Sequence, residues 1–106
     1  MIKKLFFSSK CRVEFSLPAG ITQDEDTVHL VGDFNQWDTK ATTLKPTWDH
    51  RFTVSLDLPL DRKYQYRYLI NGHRWYVEPD ADGYARNPFL RTNALVSTFR
   101  PKKAIA

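Results

Sequence analysis

The sequence predicts an all-β fold, an antiparallel β-sandwich of about seven short strands. Three observations carry this expectation. Apolar residues recur with a period of two along most of the chain. Turn-forming residues fall between the alternating runs. No window shows the apolar spacing of an amphipathic helix. The 106 residues suit one small domain, and a composition that is 42% hydrophobic and 14% aromatic supplies a core and argues against intrinsic disorder.

The strands can be taken in order. Val13, Phe15 and Leu17 alternate with Glu14 and Ser16, and Val28 and Leu30 flank His29. Phe52, Val54, Leu56 and Leu58 alternate with Thr53, Ser55 and Asp57. Tyr64, Tyr66, Tyr68 and Ile70 alternate with Gln65, Arg67 and Leu69. Each run reads as a strand with one face in the core and one face outward. Short runs at 75–77 and 95–99 complete the set. Pro18-Ala19-Gly20 ends the first strand, and the polar stretch 22–27 reads as a loop. Residues 32–45 form a longer connection without a clean period, and Trp48-Asp49-His50 marks a bend. Residues 59–63 close a hairpin, Asn71-Gly72 is the strongest hairpin signal, and 78–88 is a loop rich in Pro, Asp and Gly. A sandwich of this length is immunoglobulin-like in size. Cys11 is the one cysteine, which excludes an internal disulfide and a cysteine-based zinc site.

The net charge of +4 hints at a polyanionic partner, but its location argues otherwise. Lys3, Lys4, Lys10 and Arg12 lie at one end, and Arg100, Lys102 and Lys103 at the other. Between positions 13 and 99 nine cations face all 12 acids, so the body is mildly acidic. The expected organisation is a basic, solvated N-terminal segment 1–10, a domain over 11–99 and a basic tail 100–106. Neither nucleic acid nor a membrane is an expected partner. No apolar run approaches the ~20 residues of a membrane span. The start has an apolar stretch of only three residues, Leu5-Phe6-Phe7, too short for a signal peptide, and Ile2 excludes N-myristoylation. A cytoplasmic location is expected.

Catalysis finds little support. His29, His50 and His73 lie on three separate elements without metal-type spacing. Asp80-Ala81-Asp82-Gly83 has half the pattern of a calcium loop and lacks the later acidic ligands. Four glycines form no phosphate-cradling loop, and Cys11 has no base in its segment. The chain is expected not to be an enzyme and to need no cofactor and no metal. The aromatic residues are more informative. Phe15, Phe52, Tyr66 and Tyr68 fall on apolar strand faces, whereas Trp37, Trp75 and Phe89 fall outside them. Large rings away from the core either mark a binding surface or cap the open ends of a small sandwich, and taken singly each ring suits the capping reading better.

The stretch Val28-His29-Leu30-Val31-Gly32-Asp33-Phe34-Asn35-Gln36-Trp37 resembles the Gly-x-Phe-Asn-x-Trp signature of carbohydrate-binding module family 48. That family includes the glycogen-binding domain of the AMP-activated protein kinase beta subunit. It also includes the early-set N-terminal domains of isoamylases and glycogen branching enzymes. A second block is similar to the family's strand ending in Leu-Pro followed by Tyr-x-Tyr-Lys/Arg-Phe-x-Val-Asp-Gly and a Trp. Here it reads Phe52 to Pro59, then Tyr64-Gln65-Tyr66-Arg67-Tyr68-Leu69-Ile70-Asn71-Gly72-His73-Arg74-Trp75. Asn93, before an apolar strand, stands where the family has a sugar-contacting Asn. The resemblance spans about residues 12–98, with the blocks in family order. The chain departs from the kinase domains by one extra residue before Trp75 and by Arg91, where they carry a small hydroxyl residue; a cation there blocks the sugar or donates to it.

The resemblance implies an early-set β-sandwich that binds α-1,4-linked glucans such as glycogen or malto-oligosaccharides. Trp37 and Trp75 match its two ring platforms, Arg67 its basic mid-strand residue, Phe89 an apolar loop contact and Asn93 its amide contact. The chemistry is reasonable on its own terms. An aromatic ring takes the apolar face of a pyranose out of water, while Arg and Asn side chains satisfy the hydroxyl rim. With Tyr66 and Tyr68 inward, Arg67 must point outward. A runner-up reading keeps the fold without the sugar site. It makes the chain an interaction or scaffolding domain that docks on a glycogen-metabolising enzyme or another partner.

Overall fold

A computed structural model describes residues 1–86 and 91–101. Among these residues the fold is all-β. In order come β1 (Ile2–Phe6), β2 (Lys10–Leu17), β3 (Val28–Gly32), a 3₁₀ turn (Asp33–Asn35) and β4 (Thr43–Pro46). Then follow β5 (Phe52–Pro59), β6 (Lys63–Ile70), β7 (Arg74–Tyr76), β8 (Gly83–Arg86) and β9 (Thr92–Ser97). All pairings are antiparallel, in the order β1-β2-β5-β4-β3-β6-β9-β8, with β7 also on β6.

The sheet curls at β4. Its first half pairs with β3 (Val28 with Leu44), and its second half pairs with β5 (Pro46 with Phe52). The two limbs thereby turn their apolar faces toward one another. Val13, Phe15 and Leu17 of β2 and Tyr66, Tyr68 and Ile70 of β6 are all buried. Phe15 meets Tyr66 edge-on at 5.0 Å, and Tyr66 meets Tyr68 edge-on at 5.9 Å, the geometry that ring quadrupoles favour. The far ends of the path are latched together. Lys4 of β1 donates to Asp82 at 2.6 Å and to the Ser97 carbonyl at 3.0 Å, and Ser97 N donates to the same Asp82 at 2.8 Å. Asp82, half of the apparent calcium pattern, is therefore engaged in a structural contact. Glu78, fully buried, accepts from the Tyr68 hydroxyl and from the Met1 α-amino group, both at 2.8 Å. A buried carboxylate held by two donors avoids the large desolvation loss of an unpaired one.

Four strand assignments depart from the sequence expectation. The segment expected as a solvated basic end contains β1, which pairs with β2 over Ile2–Phe6, so the sheet reaches back to Ile2. Its alternation is obscured because Lys4 shares the half-buried face with Ile2 and Phe6. An inward-leaning charge also blunts an edge strand against further pairing. At the other end, Arg100 folds back to donate to the Phe7 carbonyl. β4 begins within the aperiodic 32–45 connection and runs one residue past it, with Leu44 its one buried residue. β8 arises inside the 78–88 loop. The strand expected at 95–99 is β9 at Thr92–Ser97, three residues earlier at its start. Asn71-Gly72 behaves as expected, with positive φ at both residues (54° and 75°), and His73 N donates to the Ile70 carbonyl across the turn.

Candidate functional site

The site lies on the face of β6 turned away from the tyrosine core. Alternation puts Gln65, Arg67 and Leu69 there. Register then sets their neighbours: Val31 of β3 opposite Arg67, and Trp75 of β7 opposite Leu69. Tyr66 pairs with Ala94 of β9 in the core-facing row, so Asn93, next to Ala94, joins the outer row, where it pairs with Ala85 of β8. The turn of residues 71–73 leaves Ile70 paired with Arg74 and Leu69 with Trp75, which puts Trp75 on the same face as Arg67.

Trp37 arrives from the other side, on the turn after β3. Gly32 starts this turn where β3 passes tightly over β6: a Cβ there would sit 2.5 Å from the Gln65 carbonyl oxygen and 2.8 Å from Tyr66 Cβ. Asn35 staples the turn by donating to the Leu30 carbonyl at 2.8 Å and accepting from Gly32 N at 3.1 Å. Gln36 and Trp37 then adopt left-handed backbone, φ 55° and 57°. That conformation is strained by ~1–2 kcal/mol per non-glycine residue, so surrounding bonds must hold it. Trp37 N donates to the Gly32 carbonyl at 2.9 Å, and the indole N–H donates to Asp33 at 2.9 Å. The other Asp33 oxygen accepts from Gln65 N at 2.8 Å.

Trp37, Arg67, Trp75 and Asn93 line one cleft of about 450 Å³, together with Asp33, Gln65 and Arg91. Four of the five residues singled out from sequence thus meet. The fifth, Phe89, lies outside the described residues. Trp75 is 41% exposed and Trp37 half-buried, giving two rings at the rim. Arg67 and Asn93 form the floor, only 8% and 5% exposed. Arg67 faces outward in the pleat, as alternation requires, yet it is covered. The Trp75 ring lies 6.0 Å from its guanidinium carbon, and Nη2 donates to the Thr92 carbonyl at 2.9 Å. Its buried Nε has no hydrogen-bond partner among the described residues. Burial pushes the Arg67 guanidinium down from its usual pKa, and the positive charge of Arg91 adds to that shift; the group stays charged at neutral pH. Asn93 Nδ2 donates to Gln65 Oε1 at 2.9 Å.

Asp33 and Gln65 were not singled out from sequence. Gln65 shares the period-two row of Arg67, which is a legible signal. Asp33 occupies the variable position of the Gly32–Trp37 motif, and its role depends on a contact to β6 that no local pattern encodes. The histidines stay apart: His50 Nδ1 lies 3.0 Å from Asp24, and His73 Nδ1 lies 2.9 Å from the Asn71 carbonyl. Trp48 is 93% exposed in the turn between β4 and β5, beside Glu14 and Thr53 on the other limb of the sheet.

No protein-family model matches this chain, and no curated protein matches it significantly.

Proposed function

We propose that this chain is a non-catalytic, cytoplasmic module that binds α-1,4-linked glucans in the cleft of Trp37, Arg67, Trp75 and Asn93, and that its curled sheet is an immunoglobulin-like early-set sandwich. The observation that carries the reading is the convergence of two partly exposed indole rings and two recessed polar side chains on one concave surface. Rings at the rim suit the apolar face of a pyranose, and Arg and Asn donors at the floor suit its hydroxyls. The hydrogen bonds that anchor Trp37 through Asp33 to β6 pre-organise one platform, so little side-chain freedom is lost on binding. An open cleft buries little area. Single-site binding is therefore weak, and a polymer that engages several molecules strengthens retention.

Native affinity electrophoresis tests this. Soluble glycogen or amylose in the gel retards the full chain relative to a gel without polysaccharide, and a β-linked glucan does not. Trp37→Ala migrates faster than the parent chain in the glycogen gel. Absence of retardation by either α-glucan sinks the glucan reading and leaves the protein-docking domain in its place.

A further inference from the structure

Arg67 sits recessed at the floor of the cleft with donors beyond those its protein neighbours use. It is 8% exposed, and no carboxylate among the described residues forms an ion pair with it. Its one hydrogen bond to a described residue is Nη2 to the Thr92 carbonyl, and its buried Nε is unpartnered. Arg91, a second cation, lines the same cleft. The acid among the described lining residues, Asp33, already accepts from the Trp37 indole and from Gln65 N. A guanidinium this recessed, with an Nε donor unmet among the described residues, gains from an anion that reaches its free donors. A guanidinium with spare donors is suited to the oxygens of a phosphate group.

We propose that the cleft takes an α-glucan chain bearing a phosphate ester, with the sugar face on Trp37 or Trp75 and the phosphate oxygens between Arg67 and Arg91. This rests on the glucan reading above and sharpens it, because a charged substituent selects among glucans that share the same ring faces. Arg91 then acts as a donor to the ligand, and its departure from the small hydroxyl residue of the resembling domains becomes a specificity feature.

Isothermal titration of the full chain tests it with three probes: maltoheptaose, maltoheptaose carrying a phosphate monoester, and inorganic phosphate. The phosphorylated oligosaccharide is expected to bind about tenfold more tightly than the neutral one at low salt. That preference shrinks at high ionic strength and shrinks in Arg91→Gln and in Arg67→Gln. The readout is the ratio of the two affinities within each protein, and Arg91, on the surface, serves even if the buried Arg67 variant fails to fold. Inorganic phosphate alone binds more weakly than the phosphorylated sugar. Equal affinity for the two oligosaccharides overturns this proposal and leaves the glucan reading standing. A preference that survives both substitutions also overturns it, since the anion is then held elsewhere. Inorganic phosphate binding as tightly as the phosphorylated sugar overturns it too, because the rings then contribute nothing. Failure of both oligosaccharides to bind removes the glucan reading and this proposal together.

Discussion

Asp33 ties Trp37 to the sheet: one carboxylate oxygen accepts the Trp37 indole N–H at 2.9 Å while the other accepts Gln65 N at 2.8 Å. The ring that heads the cleft is thus fixed through a side chain to the strand that carries Arg67. Asp33→Ala breaks both bonds and frees the ring to sample other rotamers. Glucan affinity is expected to fall about five-fold, the loss of one ordinary hydrogen bond's net worth. Affinity electrophoresis measures this, and the Trp37 fluorescence anisotropy should fall with it in a chain whose other tryptophans are replaced by Phe.

Gly32 is required by space and not by backbone conformation. Its φ of −172° is open to any residue, but an added Cβ meets the Gln65 carbonyl oxygen at 2.5 Å and Tyr66 Cβ at 2.8 Å. These are backbone and near-backbone atoms that cannot swing away. Gly32→Ala forces β3 and β6 apart and is expected to destabilise the fold by ~1–3 kcal/mol. A lowered urea midpoint with an unchanged slope is the expected signature. Because the same contact positions Trp37, glucan affinity should fall in the fraction that remains folded.

How far the sequence carries this site depends on the kind of contact. Period two along β6 separates the tyrosines from Gln65, Arg67 and Leu69, and in the structure Tyr64, Tyr66 and Tyr68 join the core while Gln65 and Arg67 line the cleft. Alternation assigns a face, however, and not an exposure. Arg67 is covered because β7 folds back and sets Trp75 opposite Leu69, a consequence of pairing between strands. The Asp33 bridge was illegible for the same reason, since its partner Gln65 is 32 residues away. β1 escaped detection because Lys4 stands on its half-buried face, where the ion pair to Asp82 compensates a charge that the pattern reads as solvent-exposed. β4 and β8 are four residues each, too short for a period to declare itself.

Part of the basic excess near the N-terminus is spent within the fold. Lys10 reaches Asp57 at 2.9 Å, and Arg12 reaches it at 2.8 Å. The Arg12 guanidinium, and after it the Lys10 ammonium, hold the Asp57 carboxyl far below the usual carboxylate range. A depressed folded-state pKa adds stability above the unfolded value of ~4 and loses it as pH falls below that. The Asp57→Asn protein lacks this component. The difference in denaturation midpoint between the parent and Asp57→Asn is therefore expected to be largest near neutral pH and to close progressively on acidification. The groups are exposed, so the difference is small and salt should reduce it further. A difference that grows toward low pH contradicts the assignment.

The two exposed tryptophans separate the cleft from the rest of the surface. Trp75 stands at the cleft rim over Arg67, while Trp48 lies on the opposite limb, in the turn between β4 and β5. Removing the Trp75 ring takes away a stacking surface and the cation–π cover of Arg67. Trp75→Ala is expected to weaken glucan binding about tenfold, comparable to losing the burial of one large apolar side chain. It should leave the fold largely intact, since the ring is 41% exposed. Trp48→Ala removes a ring that is 93% exposed and should shift stability by no more than ~0.5 kcal/mol. Its retardation by glycogen should match the parent chain. If instead Trp48→Ala abolishes retardation while Trp75→Ala does not, the glucan surface lies on the β2–β5 limb and the cleft built on β6 serves another ligand.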